Sequence, residues 1–421
     1  MANIDQPAEA VLNSPGKPQQ GVPSIGLPAL IGMVTGVQGL ATFTVLALPT
    51  LAIRAAPDFG LGPEAAGYQI SVIYFAAALF SSGAGLLVRR YGAAFVSLVA
   101  LAFSGLGLLA IATGSLVLAV LGSLSLGCAY GMTNPAASHL LLRFAPRKHQ
   151  NLIFALKQTG VPLGAILAAL MLPSLAERTG WRMALVSSVA LLVALAIPLA
   201  VARTRLDSDR DPSARVGGSL LQGVRLVVGH PVLRPLAIMG WAYASFQFCL
   251  FTFLITMLVQ DFGWSLVAAG GLATVMQIGG ATGRIAWSLF ADRIGHGLWV
   301  LLVIGIASSV LAFGLAFAGP SWPVWVLSVV LLGFGFCLVG WNGLWMAEIA
   351  RTAGQTNVGL ATGGVLVFTY VGVMMGPAAF ALLYRHIGSY AATYGAFSVL
   401  TLVGAAALTA AIRHRKKSAE A

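Results

Sequence analysis

Twelve long apolar segments, separated by short polar breaks, restrict most strongly what this chain can fold into. They lie at residues 27–53, 65–88, 94–113, 116–142, 151–175 and 181–203, and then at 233–260, 265–290, 297–318, 322–347, 356–384 and 389–412. About 20 apolar residues cross the hydrocarbon core of a bilayer as a helix. Because helices satisfy their own backbone polar groups in lipid, the pattern predicts an all-α membrane protein with twelve transmembrane helices, here numbered as spans one to twelve.

The composition agrees with a membrane protein. Hydrophobic residues make up 58% of the chain and charged residues only 9%, which is more apolar surface than one water-soluble core can bury. The net charge of +12 does not predict nucleic-acid binding, because the basic residues are not gathered on a polar domain. Three cysteines, Cys128, Cys249 and Cys337, lie far apart in apolar segments and predict neither a metal site nor a disulfide.

The basic residues favour one side of the membrane. With the N-terminus in the cytoplasm, 18 of the 24 Lys and Arg residues fall in cytoplasmic segments, and only Arg54, Arg178, Arg182 and Arg385 fall outside. The positive-inside rule then predicts an inner-membrane protein with both termini in the cytoplasm. The two remaining basic residues lie within spans.

The polar segments divide the chain into five parts. We expect a disordered cytoplasmic tail at 1–26, a six-helix bundle at 27–203, a cytoplasmic linker at 204–232, a second six-helix bundle at 233–412 and a short cytoplasmic tail at 413–421. Asn134 and Arg143 in span four match Asn342 and Arg351 in span ten, about 208 residues later. Such parallel repeats are typical of transporters. Residues 219–230 predict either a helix on the membrane surface or a plain linker.

One loop carries a recognisable motif. SLFADRIGHG at 288–297 resembles the G-x-L-a-D-R-x-G-R-K loop of the major facilitator superfamily through Asp292, Arg293 and Gly295. The resemblance implies that the Asp and the Arg make interhelical contacts that hold one face closed, and that the Gly permits a tight turn. Together with the twelve spans and the repeat, the resemblance covers residues 27–412 and implies a secondary transporter of two pseudo-symmetric bundles.

The equivalent loop of the first half departs from this motif. GLLVRRYGAA at 85–94 keeps Arg90 and Gly92 but has Arg89 where the family has Asp, so the gating charge pair is incomplete there. The small residues and prolines of KQTGVPLG at 157–164 and GVMMGP at 372–377 also resemble the family, where they allow helices to approach and bend.

Two cations lie at membrane depth, where charge is expensive and usually functional. They are Lys157 in span five and Arg284 in span eight, whereas all twelve acidic residues fall in tails, in loops or near span ends. Cations that face a watery cavity attract an anion, and the planar fork of Arg suits a carboxylate. The alternative is that both side chains reach back to the membrane surface. Gln277, Arg284 and Ser288 share one helix face, which favours a cavity.

The segment GRIAWSLFADR around Arg284 also resembles the monocarboxylate-transporter branch of the superfamily. That resemblance implies that Arg284 is a substrate ligand. Gly280 stands where that branch has an acidic residue, so its coupling mechanism is not implied.

Further polar residues recur at helical spacing in the spans that line the cavity of this family. The expected substrate contacts, besides Arg284, Lys157 and Gln277, are Gln38, Asn134, Tyr243, Gln247 and Asn342. Hydrogen bonding between helices is the alternative for each of them. Glu348 is a gate candidate that pairs either with Arg351 or with a charge in the opposite half.

These observations favour a secondary transporter of a small organic anion, a carboxylate, driven by proton symport through alternating access. A proton-coupled exporter of drugs or metabolites is the alternative. Neither a catalytic motif nor a metal or cofactor motif occurs, so we expect no enzyme, no metal and no cofactor. The expected partners are the anion, a proton and the bilayer, and the expected state is a monomer.

The topology can be tested with reporter fusions at both termini. We expect a reporter that is active only in the cytoplasm to be active at either end, because the basic loops require an even number of spans. A C-terminal fusion that is active only outside the membrane would contradict the twelve-span count.

Overall fold

The computed structural model describes residues 26–144, 150–213 and 220–420, and these residues form helices without any strand. The tail predicted at 1–26 therefore lies outside the described residues except for Gly26, and part of the predicted linker is likewise not described.

The first half contains six helical spans. They are Leu27–Thr50, Ala66–Tyr91, Ala93–Ala112, Leu116–Phe144, the two pieces Gln150–Gln158 and Gly160–Thr179, and Trp181–Leu206. Between spans one and two lie a short helix, Ala52–Ala55, and the 3-10 turns Ala56–Phe59 and Pro63–Ala65.

The second half repeats this arrangement after a short connecting helix, Leu220–Gly229. Its helices are Leu233–Gln260, Leu266–Ile294, Gly297–Leu315, Val324–Leu338, Asn342–Ile387 and Tyr390–Glu420. The helix Asn342–Ile387 belongs to two spans, because Gly354 has a positive φ of 69° and kinks the chain there. Span ten thus extends to Gly354, several residues beyond its predicted end.

The membrane-spanning character of these helices confirms the predicted fold class. Within the described residues, eleven helices are long and apolar enough to cross a bilayer, and there are twelve if the bent pair Pro63–Ser81 and Gly83–Tyr91 counts as one span. The pair is bent by 56°. The chain is a multi-pass, all-α membrane protein.

Spans five and ten are broken, which the apolar pattern did not predict. In span five, Pro162 has no backbone N–H for the carbonyl of Gln158 four residues earlier, and the helix is interrupted at Thr159. In span ten, residues 339–341 separate Val324–Leu338 from Asn342. Each break frees backbone carbonyls at the depth of the membrane, and such groups need a partner there.

The connecting helix packs against span eleven. Gly223 lies against the backbone of Leu360 and Gly364, and Val227 is fully buried while Arg225 is exposed. The structure thus has a helix, Leu220–Gly229, in the segment predicted at 219–230, and its position on the membrane surface stays a prediction. We call the side of the molecule that carries this helix the linker face, and the other side the opposite face.

The two halves meet closely at the opposite face. Gly67 of span two lies against the carbonyl of Pro377 in span eleven, and Gly270 of span eight lies against the carbonyl of Ala169 in span five. The Ser71 hydroxyl donates to the carbonyl of Met374 at 2.5 Å. Because a side chain on either glycine would collide with backbone, these contacts need small residues.

Charges also join the halves at the opposite face. Arg385 of the second half lies 3.5 Å from the carboxylate of Glu64 and stacks over the ring of Tyr68 in the first half. The ion pairs that the structure describes at the linker face instead join groups of one half: Arg143 and His139 with Asp209, Arg203 with Asp207, Arg351 with Asp292 and Glu348, and Arg415 with Glu348. One ion pair thus joins the two halves at the opposite face, whereas these pairs at the linker face stabilise each half by itself.

The incomplete loop motif of the first half has an acidic partner from elsewhere. The carboxylate of Asp207, just after span six, accepts the backbone N–H groups of Ala94 at 2.7 Å and Phe95 at 3.0 Å. Gly92 has a φ of 97° and leaves room for this carboxylate at the start of span three. Burial raises the pKa of Asp207 above its ordinary value, while both backbone donors and Arg203 oppose that shift. Arg90 is exposed and stacks on Tyr91.

The second-half motif makes the kind of contact that the resemblance implies. Asp292 accepts a hydrogen bond from Arg351 of span ten at 2.8 Å, and Gly295 ends span eight with a φ of 70°. Arg293 is exposed. A gating role for these residues stays a prediction.

The packing of Asp207 against Gly92 predicts unequal effects of two alanine substitutions. Gly180, which precedes span six, has nearly the same backbone angles as Gly92, but no neighbour occupies the position of a side chain there. We expect Gly180→Ala to cost only backbone strain, about 1–3 kcal/mol. Gly92→Ala should cost about 1–2 kcal/mol more, because it also displaces the helix cap.

Denaturation of both purified variants measures this difference. Asp207→Ala should lower the free energy of unfolding of the wild type. It should change that of the Gly92→Ala variant little, because the Asp207 cap of span three is already lost there. Equal effects of the two glycine substitutions would contradict the proposed contact.

Candidate functional site

Polar and aromatic side chains from both halves gather at the centre of the molecule. We call this group the central cluster: it contains Tyr74, Tyr130, Asn134 and Lys157 from the first half, and Arg284 and Tyr370 from the second. Because spans two, four, five, eight and eleven all contribute to it, movement of one half against the other must change its geometry.

Arg284 connects the broken helices of the two halves. Its guanidinium donates through Nη1 to the carbonyl of Gln158 at 3.1 Å and through Nε to the carbonyl of Val339 at 3.3 Å. The first carbonyl lacks a helical donor because of Pro162, and the second lies at the break in span ten. The charge of Arg284 thus compensates carbonyls that the backbone leaves free.

The guanidinium keeps donors available for a ligand. Arg284 is only half-buried, and within the described residues its Nη2 forms no hydrogen bond. A carboxylate binds a guanidinium best through two parallel N–H groups. Bidentate binding on the Nη2 side would therefore use Nη2 together with Nη1 or Nε, and would compete with one of the two carbonyls.

Lys157 is the second cation of the central cluster. Its side chain is only 3% exposed, and its ammonium donates to the amide oxygen of Asn134. The hydroxyl of Tyr370 faces the same Asn134. Among the described residues no carboxylate pairs with Lys157, and its one described hydrogen bond goes to a neutral amide.

Aromatic rings form a wall beside the two cations. Tyr74 packs against Tyr130 with ring centroids 5.4 Å apart, against Tyr370 at 5.9 Å and against Phe248 at 4.8 Å. Tyr130 also faces the guanidinium of Arg284. Such a wall offers ring faces and hydroxyl groups close to a positive charge, which suits an anion that carries an aromatic ring.

Two glutamines that were predicted as substrate contacts lie buried near the interface between the two halves. Gln38 of span one accepts a long hydrogen bond from Thr133 at 3.5 Å, and its amide nitrogen forms no hydrogen bond within the part of the chain that the structure describes. Gln277 lies between the halves toward the opposite face, and its amide oxygen likewise has no hydrogen-bond partner among the described residues. Buried polar groups normally form hydrogen bonds, so both amides have bonding capacity for water or a ligand.

The structure does not bring Tyr243 and Gln247 to the central cluster. The Tyr243 hydroxyl donates to the carbonyl of Leu301 at 3.1 Å, inside the second half. Gln247 accepts hydrogen bonds from Trp341 at 2.9 Å and from Asn342 at 3.2 Å. In this conformation both residues form hydrogen bonds between helices, and their role as substrate contacts stays a prediction. Asn342 also donates to the carbonyl of Val339 and so borders Arg284 indirectly.

Glu348 lies in an ion-pair network of the second half. Its buried carboxylate accepts from Arg351 at 3.0 Å and pairs with Arg415 of span twelve at 2.7 Å. Of the two predicted partners, the pair with Arg351 is the one formed in this conformation. A role of Glu348 in gating stays a prediction.

The sequence pattern missed several members of the cluster. Tyr74 and Tyr370 lie in spans two and eleven, which showed no polar stripe, and the carbonyl of Gln158 has no side-chain signal. The one signal for that carbonyl is Pro162, because a proline inside a helix frees the carbonyl four residues before it. An open cavity of about 760 Å³ lies between spans one and five, but its lining carries no charged residue and none from the central cluster.

Comparison with known proteins agrees with this architecture. The family model of the Major Facilitator Superfamily matches residues 31–363. A transporter of this type from Mycobacterium tuberculosis is 28% identical over 247 residues, 56% of this chain. The match spans about half of that relative, 52% of its length.

Two further relatives match with names that specify a substrate. A gallate transporter of Pseudomonas putida is 27% identical over 81% of this chain and 88% of its own length. A gentisate transporter of Corynebacterium glutamicum is 24% identical over 69% of this chain and 66% of its own length. The solved structure of a nucleoside transporter superposes with a TM-score of 0.74 at 16% identity, covering 91% of this chain and 99% of its own, and so shares the fold.

The bond from Arg284 to the freed carbonyl can be tested by a double-mutant cycle with Pro162→Ala. An alanine N–H would donate to the Gln158 carbonyl within the helix and compete with the guanidinium. We therefore expect Arg284→Ala to destabilise the protein by about 1–2 kcal/mol less in the Pro162→Ala background than in the wild type.

Pro173→Ala in the same span is the matched control. It also restores a helical N–H, but within the described residues Arg284 makes no contact near it. Chemical denaturation of the single and double variants gives the coupling energies. Equal coupling of Arg284→Ala with both proline substitutions would rule out the specific bond.

Proposed function

The chain belongs to the major facilitator superfamily and is a small-molecule transporter, and from this we propose that it carries small organic anions with a carboxylate group. Aromatic carboxylates are the preferred class, a proton is the coupling ion, and alternating access between the two halves is the mechanism. The observation that carries this proposal is Arg284, whose Nη2 forms no hydrogen bond within the described residues, in a cluster without acidic residues.

The charge of the central cluster supports an anion. Lys157 and Arg284 are the two basic side chains of the cluster, and the described carboxylates of Glu348, Asp207 and Asp209 form ion pairs at the linker face instead. Uncompensated charge at membrane depth is costly. A bound carboxylate would lower that cost, whereas a cationic drug would raise it, so the exporter of cations is the weaker alternative.

The wall of the cluster supports an aromatic substrate. Tyr74, Tyr130 and Tyr370 lie beside Arg284 and Asn134, so a substrate ring could stack on them while its carboxylate meets the guanidinium. Phenolic hydroxyls and the Asn134 amide can bond ring substituents. The gallate and gentisate transporters are named after hydroxylated benzoates, which supports aromatic carboxylates as the substrate class.

The arrangement of the halves supports alternating access. Close packing and the pair Glu64 with Arg385 hold the opposite face together, while the described pairs of Arg143 with Asp209 and of Arg351 with Asp292 at the linker face each lie within one half. If the basic linker face is cytoplasmic, as the positive-inside rule indicates, this is an inward-facing state. Both termini would then lie in the cytoplasm.

The role of Arg284 can be tested in proteoliposomes with a labelled hydroxybenzoate. We expect Arg284→Lys to raise the half-saturation constant of counterflow by about 10- to 100-fold, because it loses a charge-assisted hydrogen bond worth about 1.5–3 kcal/mol. Arg54→Lys, at an exposed position of the opposite face, is the matched control and should leave the constant unchanged.

Two results would overturn the proposed substrate class. One is an unchanged half-saturation constant for Arg284→Lys. The other is transport of nucleosides or cationic dyes, but not of hydroxybenzoates, by the wild type. The second comparison is needed because a nucleoside transporter shares the fold.

A further inference from the structure

We propose that Lys157 is the proton-binding site of this transporter, and that its protonation is coupled to the binding of the substrate carboxylate in the same cluster. The inference rests on the proposed transport of an organic anion and adds the residue that carries the coupling ion. Nothing in the loop motifs or in the relatives assigns this role to Lys157.

The surroundings of Lys157 allow it to gain and lose a proton. The side chain is 97% buried, at the end of the short helix Gln150–Gln158, and its one described hydrogen bond goes to a neutral amide oxygen. A lysine held by a carboxylate keeps its proton, whereas a buried lysine without one readily exchanges it. Lys157 therefore differs from Arg143, Arg351 and Arg415 of the linker face, which stay charged and are paired with acids.

The cluster that holds Lys157 draws on several spans, and among its described members only Arg284 is charged besides Lys157 itself. Span four contributes Asn134, which accepts from Lys157, and Tyr130, which faces Arg284, and span eleven contributes Tyr370 beside Asn134. Three residues further along span five, Gly160 packs against the backbone of Thr35 and the side chain of Gln38 in span one. Span two contributes Tyr74 through its contact with Tyr130. Span eight contributes Arg284, whose Nη1 bonds the carbonyl of Gln158, the residue next to Lys157.

This arrangement couples the two ligands through their charges. In the empty protein the positive charge of Arg284 disfavours a second positive charge on Lys157. A carboxylate on Arg284 removes that repulsion, so the amine takes up one proton from water and becomes an ammonium. By reciprocity the ammonium strengthens anion binding by the same factor. One negative charge and one proton then cross together, and both leave to water on the other side.

Without either ligand the cluster carries a single positive charge. Arg284 then donates to the carbonyls of Gln158 and Val339, and the neutral amine of Lys157 adds no second charge. A carrier that binds the anion alone keeps an unprotonated Lys157 and has weak affinity. Productive transport therefore requires both ligands, as symport demands.

The direct test is proton uptake on anion binding by the full-length protein in detergent. Calorimetry with 4-hydroxybenzoate in buffers of different ionisation heat counts the protons. At a pH where the empty site is deprotonated, we expect about one proton per anion for the wild type and a Kd that rises about tenfold per pH unit. Lys157→Met and Lys157→Arg should bind with no linked proton, because neither side chain titrates.

Transport gives a second readout. A one-unit pH gradient should drive about tenfold accumulation by the wild type, since coupling of one proton to one monovalent anion is electroneutral. Lys157→Arg should show no gradient-driven accumulation. Lys417→Met removes an exposed lysine outside the cluster and should keep both the tenfold accumulation and the linked proton.

The outcomes separate this inference from the proposed function. If the wild type binds no hydroxybenzoate, the proposed function fails. If the wild type binds the anion without a linked proton, or if folded Lys157→Arg still takes up a proton and accumulates substrate, then the proton site lies elsewhere and the inference is overturned. Size-exclusion chromatography shows which variants are folded. If Lys157→Met does not fold, Lys157→Arg still tests the inference, because it keeps a positive charge that does not titrate.

Discussion

The fold depends at its centre on one cation and two carbonyl groups. Pro162 interrupts span five, residues 339–341 interrupt span ten, and Arg284 donates to a carbonyl at each break. Free carbonyls are costly in lipid, and so is an unpaired guanidinium, so each compensates the other. Because the two breaks belong to different halves, the same bonds link the halves near the middle of the membrane. A ligand that takes donors from Arg284 also changes how the halves are joined.

The two halves share a helix order but differ in their chemistry. Asn134 accepts from Lys157, whereas the matching Asn342 donates to Gln247. Arg143 pairs with Asp209 beyond span six, whereas the matching Arg351 pairs with residues of spans eight and ten. The pseudo-symmetry thus repeats the positions of polar side chains without repeating their partners. One half supplies the cluster with a lysine and an amide, and the other supplies the guanidinium.

The loop motif of the first half illustrates how a lost side chain is replaced. Arg89 stands at the position of the expected Asp, yet a carboxylate still meets the start of span three, because Asp207 reaches it from the end of span six. The backbone N–H groups at a helix start attract a negative charge from any direction. The physical requirement is therefore local, and the residue that meets it need not come from the same loop.

Apolar segment length, composition and the loop motif determined the all-α fold, the count of spans and the family, because lipid requires long apolar helices. The same reasoning singled out Arg284 and Lys157, since charge at membrane depth stands out in any sequence. Only the tertiary structure decided which polar residues meet. Tyr243 and Gln247 have the same helical spacing as cavity residues, but rotation of span seven turns them into the second half. Helix rotation and backbone breaks depend on packing between distant segments, which periodicity within one segment does not record.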